Sequence, residues 1–243
     1  MLVCTIVIVI CFSLTNGQVN STIVRQARTL LSSFDEIHID GTFDVYLSQI
    51  VNKSSMPSVE IETTVDAQRD VIVEIIDHHI LSIRLSNSFQ SEKNIYASIR
   101  FDSPLHRYTI KGTGNTLTDD TGISNTNNDR FILDNRGVAN IAMGINVNTF
   151  EVHFTGSGNS RFWGQVREQA IFDGKGAGDI NAFTLSSKRT IVRVTGISIV
   201  RVAATDDIQI DATGVSTVFY RLSPGKQPSK AISSGFGKIV PIV

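Results

Sequence analysis

The residues best suited to chemistry in this chain form two glycine-rich segments that invite comparison with phosphate-binding loops. FTGSGNSRFWG occupies residues 154–164, and DGKGAGDINAF repeats much of its pattern at residues 173–183. Neither segment has the G-x-G-x-x-G spacing or the G-x-x-x-x-G-K-[ST] order of phosphate loops. Neither precedes a predicted helix whose N-terminus would bind an anion. The two segments therefore favour a structural role over nucleotide binding.

Carboxylates are also available for acid–base chemistry. The acidic residues on predicted outward positions are Asp134, Asp173, Asp179 and Asp211. Glycoside hydrolysis needs two carboxylates on one face at a set separation. Here the acidic positions alternate with His153 and Arg193, which is typical of a charge-paired surface. A carbohydrate-active enzyme, either a polysaccharide lyase or a glycosidase, is therefore the alternative function, and we assign no catalytic residue.

Metal, cofactor and thiol chemistry find no support in the residue spacing. The five histidines form no H-E-x-x-H motif. The loop TDDTGISNTNND at residues 118–129 is acidic but lacks the D-x-[DN]-x-[DN]-G order of a calcium loop. We predict no metal site and no cofactor.

Composition and the first residues favour a secreted protein. The chain of 243 residues has a formal net charge of −1, from 22 basic and 23 acidic residues, which argues against nucleic-acid binding. Leu2–Leu14 are apolar and uncharged, and small residues follow up to Gly17. This pattern predicts a signal peptide at residues 1–17. The apolar run is shorter than the ~20 residues that span a membrane, so we expect an extracellular, not membrane-spanning, protein.

The same signal peptide determines the expected covalent chemistry. Cys4 and Cys11 are the two cysteines, and both fall inside the predicted signal, so the mature chain would have no disulfide. The sequons at Asn20 and Asn52 predict glycosylation. We read residues 18–33 as a leader and residues 34–243 as one domain.

From about residue 107 the sequence becomes periodic. Glycines recur at Gly112, Gly137, Gly156, Gly176, Gly196, Gly214 and Gly235, with a spacing near 20 residues. A period of this length, with β-branched residues between turn residues, predicts an all-β parallel β-helix, or β-solenoid, of about 20 residues per coil. The residues before it are also β-rich and would continue into the same domain.

Aligning the repeats on their glycines predicts which side chains stack. Four positions before the glycine, the residues expected to face the core are Tyr108, Leu133, Val152, Phe172, Val192 and Ile210. Three positions after it, the polar residues are Asn115, Asn140, Asn159 and Asp179. Aligned amides on neighbouring strands can hydrogen-bond to one another. The motif is therefore explained as an amide ladder without any ligand.

The segments FDEIHIDGTFDVYLSQ, ILSIRL, IYASIRFDSPLHRYTIKGTGN, TGSGN and GKGAGD together resemble the auto-transporter adhesin head GIN domain family from Phe34 to the C-terminus. The resemblance implies a right-handed β-helix on a secreted or surface protein. It implies no catalytic residues.

A binding surface is predicted where Trp163 and Phe183 occupy the same position of successive repeats, beside Arg221. Exposed aromatic rings in a row favour a sugar or protein ligand. We therefore expect a secreted, non-enzymatic, adhesin-like module for an extracellular carbohydrate or protein. Poorly capped ends would also allow end-to-end self-association.

Overall fold

A computed structural model describes residues 22–30, 32–50, 56–87, 95–125 and 130–242. The predicted signal peptide and both predicted glycosylation sites, Asn20 and Asn52, lie outside these residues. In the described ranges, none of the helical structure has the length and apolar character required to cross a bilayer.

The described residues form seventeen strands and one short helix, α1 (Val65–Gln68). The strands in chain order are β1 (Ile23–Thr29), β2 (Glu36–Asp40), β3 (Asp44–Gln49), β4 (Ser58–Thr64), β5 (Val71–Ile76), β6 (Ile80–Leu85), β7 (Tyr96–Phe101), β8 (Arg107–Ile110), β9 (Thr113–Thr118), β10 (Ile123–Ser124), β11 (Arg130–Asn135), β12 (Val138–Phe154), β13 (Ser160–Gly174), β14 (Ala177–Ala204), β15 (Asp207–Leu222), β16 (Lys230–Ser233) and β17 (Lys238–Pro241).

The N-terminal region, β1 to β7, mixes strand directions. β4 pairs antiparallel with both β1 and β7, and β5 and β6 form an antiparallel hairpin. Asp77 and His78 form the turn of that hairpin with positive φ angles of 50° and 65°. In β4, Val59, Ile61 and Thr63 alternate with more exposed residues, as expected of a strand with one face on the core.

The C-terminal region, β8 to β17, is parallel and keeps the predicted register around the glycine row. Asn135 lies opposite both Ile110 and Phe154, and Gly196 lies opposite Gly214. Glycine is needed at this row because the strands approach closely. A Cβ on Gly156 would lie 1.8 Å from the carbonyl oxygen of Gly137.

The predicted right-handed parallel β-helix over residues 34–243 is wrong as a description of this fold. All seventeen strands belong to one mixed sheet that nearly closes around the core. The β1, β4 and β7 pairings and the β5–β6 hairpin run antiparallel within it. The glycine spacing reports which residues stack, but it carries no information on strand direction in the N-terminal region, where the period is absent.

One hydrophobic core fills the space that the sheet encloses. The six residues predicted four positions before the glycines are all fully buried, which confirms that part of the alignment. Four phenylalanines pack together at the centre of the C-terminal region: the ring centroid of Phe150 lies 5.8 Å from Phe131, 5.1 Å from Phe162 and 6.2 Å from Phe172. Tyr108 is buried with them, and its hydroxyl lies 2.8 Å from Thr116 Oγ1.

Candidate binding groove

An amide ladder runs along the outside of the sheet over β9, β12, the residue before β13, and β14, as the sequence predicts. Asn140 Nδ2 donates to Asn115 Oδ1 at 3.1 Å, and Asn140 Oδ1 accepts the backbone N–H of Asn159 at 3.0 Å. Asn159 Oδ1 in turn accepts the N–H of Asp179 at 3.2 Å. At the other end, the Asn115 amide and backbone N–H both donate to Asp44. Asp44 therefore extends the predicted ladder into β3.

A second row of outward side chains, the groove row, lies beside the amide ladder. Strand pairing places its members opposite one another in the order Tyr46, Leu117, Ala142, Arg161 and Asn181. Neighbouring strands lie ~4.8 Å apart, so Tyr46 and Arg161 are separated by ~14 Å. This length suits a short chain of sugar rings or a peptide.

The two rows line an open groove of about 820 Å³. Its first end is aromatic and apolar: Tyr46, Tyr96 and Leu117 are 43%, 50% and 49% exposed. Tyr96 lies opposite Asp44 on the strand next to Tyr46, so the two rings are diagonal neighbours. Exposed side chains of this kind, grouped in one concavity, are typical of a binding site.

The second end of the groove is polar and cationic. Arg161 is exposed between Ala142 and Asn181. The Arg201 guanidinium lies 5.5 Å from the ring centroid of Phe219 and 3.9 Å from the Asp179 carboxylate. The groove therefore changes along its length from tyrosines that stack to arginines that attract negative charge.

The groove carboxylates are too far apart for glycoside hydrolysis. Asp44 and Asp179 stand at opposite ends of the amide ladder, four strand spacings or ~19 Å apart. A hydrolytic pair is separated by about 5–9.5 Å. The two carboxylates cannot act on one glycosidic bond.

The predicted site residues Trp163, Phe183 and Arg221 lie elsewhere on the surface. An irregularity in β13–β14 pairing after Arg161 places Trp163 opposite Thr184 rather than Phe183. Arg221 lies over the Phe183 ring, 5.2 Å from its centroid, beside a cavity of about 370 Å³. Ligand binding by these three residues stays a prediction.

The acidic residues that were predicted to face outward differ in their exposure to solvent. Asp173, Arg193 and Asp211 lie opposite one another as predicted. Asp134 was predicted to face solvent, and that prediction is wrong. It is only 5% exposed, because Arg107 and Arg136 form ion pairs with its carboxylate and cover it. A carboxylate held by two guanidinium groups serves structure rather than proton transfer.

The acidic loop after β9 uses its first carboxylate internally. Asp119 accepts hydrogen bonds from Ser48, Thr121 and the N–H of Gly122. Burial alone would raise the pKa of Asp119, but these bonds outweigh it and hold that pKa below its ordinary value. Residues 126–129 lie outside the description. Among the described residues, no group of three His, Cys, Asp or Glu side chains is arranged to hold a metal ion.

Comparison with known proteins connects this geometry to a family. Residues 33–224 match the family described as "Putative auto-transporter adhesin, head GIN domain". The chain belongs to this family. The match includes the amide ladder and every residue of the groove row. Members carry an adhesin label, which points to an extracellular or surface location and to an unidentified binding partner.

Solved structures show that the fold is shared. The chain is similar to a putative adhesin from Bacteroides fragilis, with a TM-score of 0.78 and 20% identity over 90% of this chain and 97% of the other. A putative lipid binding protein from Parabacteroides distasonis has a TM-score of 0.63 at 16% identity, covering 91% and 97%. A putative adhesin from Parabacteroides merdae has a TM-score of 0.59 at 15% identity, covering 91% and 96%. No curated protein matches the chain.

Proposed function

We propose that this GIN-domain protein is a secreted, non-enzymatic, adhesin-like module that binds an extracellular carbohydrate along the groove. The observation that carries the proposal is the grouping of Tyr46, Tyr96 and Leu117, each about half exposed, beside a continuous row of amides. Apolar ring faces suit the C–H faces of sugars, and amides suit their hydroxyl groups.

Carbohydrate fits the groove better than protein does. Protein interfaces of ordinary strength have a dry, apolar centre surrounded by a polar rim. In this groove the polar row runs the full length, and at the first end it lies directly beside the aromatic side chains, so a ligand there would meet both. A linear oligosaccharide has this alternation of apolar faces and hydroxyl edges along its own length.

A non-enzymatic role is supported by the positions of the acidic side chains. Asp44 and Asp179 are separated by most of the groove, and the Asp134 carboxylate forms ion pairs with two arginines. The family's adhesin label is consistent with binding without turnover. Secretion is proposed from the apolar residues at the start of the sequence.

A glycan array probed with the whole protein tests the proposal. We expect selective binding of a set of saccharides, and we expect Tyr46→Ala to lose it. Phe183→Ala is the matched comparison, because Phe183 is a partly exposed ring beside the other cavity, outside the groove. Binding that survives Tyr46→Ala but not Phe183→Ala would move the site to the predicted Trp163 surface.

Two further outcomes would overturn the proposal. Binding to no saccharide at all would exclude carbohydrate as the ligand. Release of new reducing ends or unsaturated sugars from any bound polysaccharide would show catalysis and favour the enzyme alternative.

A further inference from the structure

We propose that the Arg161 end of the groove selects saccharides that carry a carboxylate, such as uronic or sialic acid units. This inference rests on the proposed function and specifies its ligand class. It concerns the groove end formed by β13 and β14, where Arg161, Asn159 and Asn181 stand together.

Arg161 is a cation without a partner among the residues that the structure describes. Its side chain makes no ion pair or hydrogen bond to any residue that the structure describes. Some exposed arginines are occupied, since Arg25 pairs with Glu62 and Arg84 pairs with Glu74, whereas Arg161 is an unpaired arginine that also lines the groove. The strand neighbours of Arg161 are Ala142 and Asn181, both uncharged. The guanidinium therefore remains available to an external anion.

The amides beside Arg161 present donors rather than acceptors. Asn159 Oδ1 accepts the N–H of Asp179, and Asn181 Oδ1 accepts the N–H of Phe183 at 3.3 Å. Each oxygen therefore already accepts one backbone N–H, while within the described ranges neither Nδ2 group donates to another residue. A guanidinium between two free amide donors matches a ligand group that only accepts hydrogen bonds.

The remaining charges nearby do not cancel this preference. Asp179 is the nearest groove carboxylate in the row beside Arg161, and it already lies 3.9 Å from Arg201. Phe219 supports the Arg201 guanidinium at 5.5 Å, which keeps a second cation at the same end. A planar carboxylate can receive two parallel N–H bonds from an arginine, and a hydroxyl group cannot.

The two ends of the groove would then make different contributions to the binding of one ligand. The tyrosines would hold sugar rings by contact with the ring faces, whether or not the sugar carries a charge. Arg161 would add binding strength only when a carboxylate reaches it. Because the site is open to solvent, salt weakens this contribution, since the Debye length falls from about 30 Å at 0.01 M ionic strength to about 8 Å at physiological ionic strength.

The test uses a glycan array built from matched pairs. The acidic member of each pair carries carboxylates that the neutral member lacks: oligogalacturonates beside their methyl esters, and sialylated beside unsialylated oligosaccharides. We expect the acidic member of each bound pair to bind about tenfold more tightly at low salt, with a smaller ratio at high salt. Arg161→Gln should reduce the acidic member to the level of its neutral partner and leave the neutral one unchanged.

Arg193→Gln is the matched control, because Arg193 is an exposed arginine outside the groove, opposite Asp173 and Asp211. It should preserve the acid preference. Binding in which acidic and neutral partners are equal, or in which Arg161→Gln keeps the preference, overturns this inference and leaves carbohydrate binding intact. If the unsubstituted protein binds no saccharide at all, this inference and the proposed carbohydrate function are both overturned.

Discussion

The two regions of the sheet are built differently, and the groove lies where they meet. The C-terminal region stacks parallel strands in register, with glycine, amide and apolar rows repeated from strand to strand. The N-terminal region uses short strands in mixed directions and a hairpin. Tyr46 and Tyr96 come from the N-terminal region, whereas Arg161 and Arg201 come from the C-terminal region. The repetitive part supplies a regular polar row, and the irregular part supplies the aromatic rings.

The largest expected effect tests whether the two regions share one core. Phe150→Ala removes the ring that contacts Phe131, Phe162 and Phe172 and should cost about 4 kcal/mol of the free energy of unfolding. Denaturant titration followed by fluorescence and by circular dichroism measures the loss. One shared core predicts a single transition at lower denaturant by both probes. Two transitions would show that the regions unfold separately.

Alanine substitutions at two glycines of the parallel region should differ in their cost to stability, because the strands approach closely at only one of them. Gly156→Ala would place a Cβ 1.8 Å from the Gly137 carbonyl oxygen, so the strands must separate. We expect a loss of about 3 kcal/mol in thermal or denaturant unfolding. Gly174→Ala is the control, since its Cβ would lie 3.3 Å from a Val194 methyl group and needs only a small shift. Equal losses in the two variants would contradict the close stacking at Gly156.

A carboxylate that joins the two regions should make stability depend on pH. Ser48 in β3 donates to Asp119 in the loop after β9 at 2.9 Å. Because hydrogen bonds lower the folded-state pKa of Asp119, its contribution is present above its unfolded pKa of about 3.9 and is lost as pH falls through the folded value. Asp119→Asn should cost about 2 kcal/mol at pH 7 and should flatten stability below about pH 4. Unfolding curves from pH 2 to 7 that are parallel in both proteins would contradict this role.

Of the four substitutions, the one in the amide ladder should reduce the free energy of unfolding least. Asn140→Ala removes the bonds to Asn115 and to the Asn159 N–H and should cost about 1–2 kcal/mol. Thr217→Ala serves as the control in β15, because Thr217 occupies the equivalent row and its hydroxyl bonds to no described residue. Chemical denaturation compares the two. An unchanged midpoint for Asn140→Ala would mean that the ladder only lines the groove.

Repetition decided how much the sequence could predict. Residues that recur at fixed spacing, such as Asn140 and Phe172, were assigned correctly to the ladder and the core, because a constant period fixes the register of stacked strands. The antiparallel pairing of β4 with β1 and β7 was missed, since these short strands lack that period. Burial of Asp134 was also missed, because it depends on long arginine side chains.

The groove itself was missed for a related reason. Tyr46 and Leu117 are distant in sequence and meet only through the pairing of β3 with β9. One signal was available: Gly41 and Asp44 have the same spacing as Gly112 and Asn115, which would have extended the repeat to β3. That extension would have placed Tyr46 beside the ladder. Tyr96 has no such signal.

End-to-end self-association stays a prediction. The last strands, β16 and β17, cover only part of β15, and Phe236 between them is 79% exposed. Pro241, which lacks an N–H, and Lys238 lie on the final edge, and both residue types discourage strand addition.

Hydrogen exchange measured with and without a saccharide from the array tests the central claim most directly. Binding along the groove should slow exchange in β3, β7, β9 and β13 together, which includes strands from both regions. Slower exchange confined to β14 and β15 around Phe183 and Arg221, with β3 and β7 unchanged, would contradict the claim that the groove is the binding site.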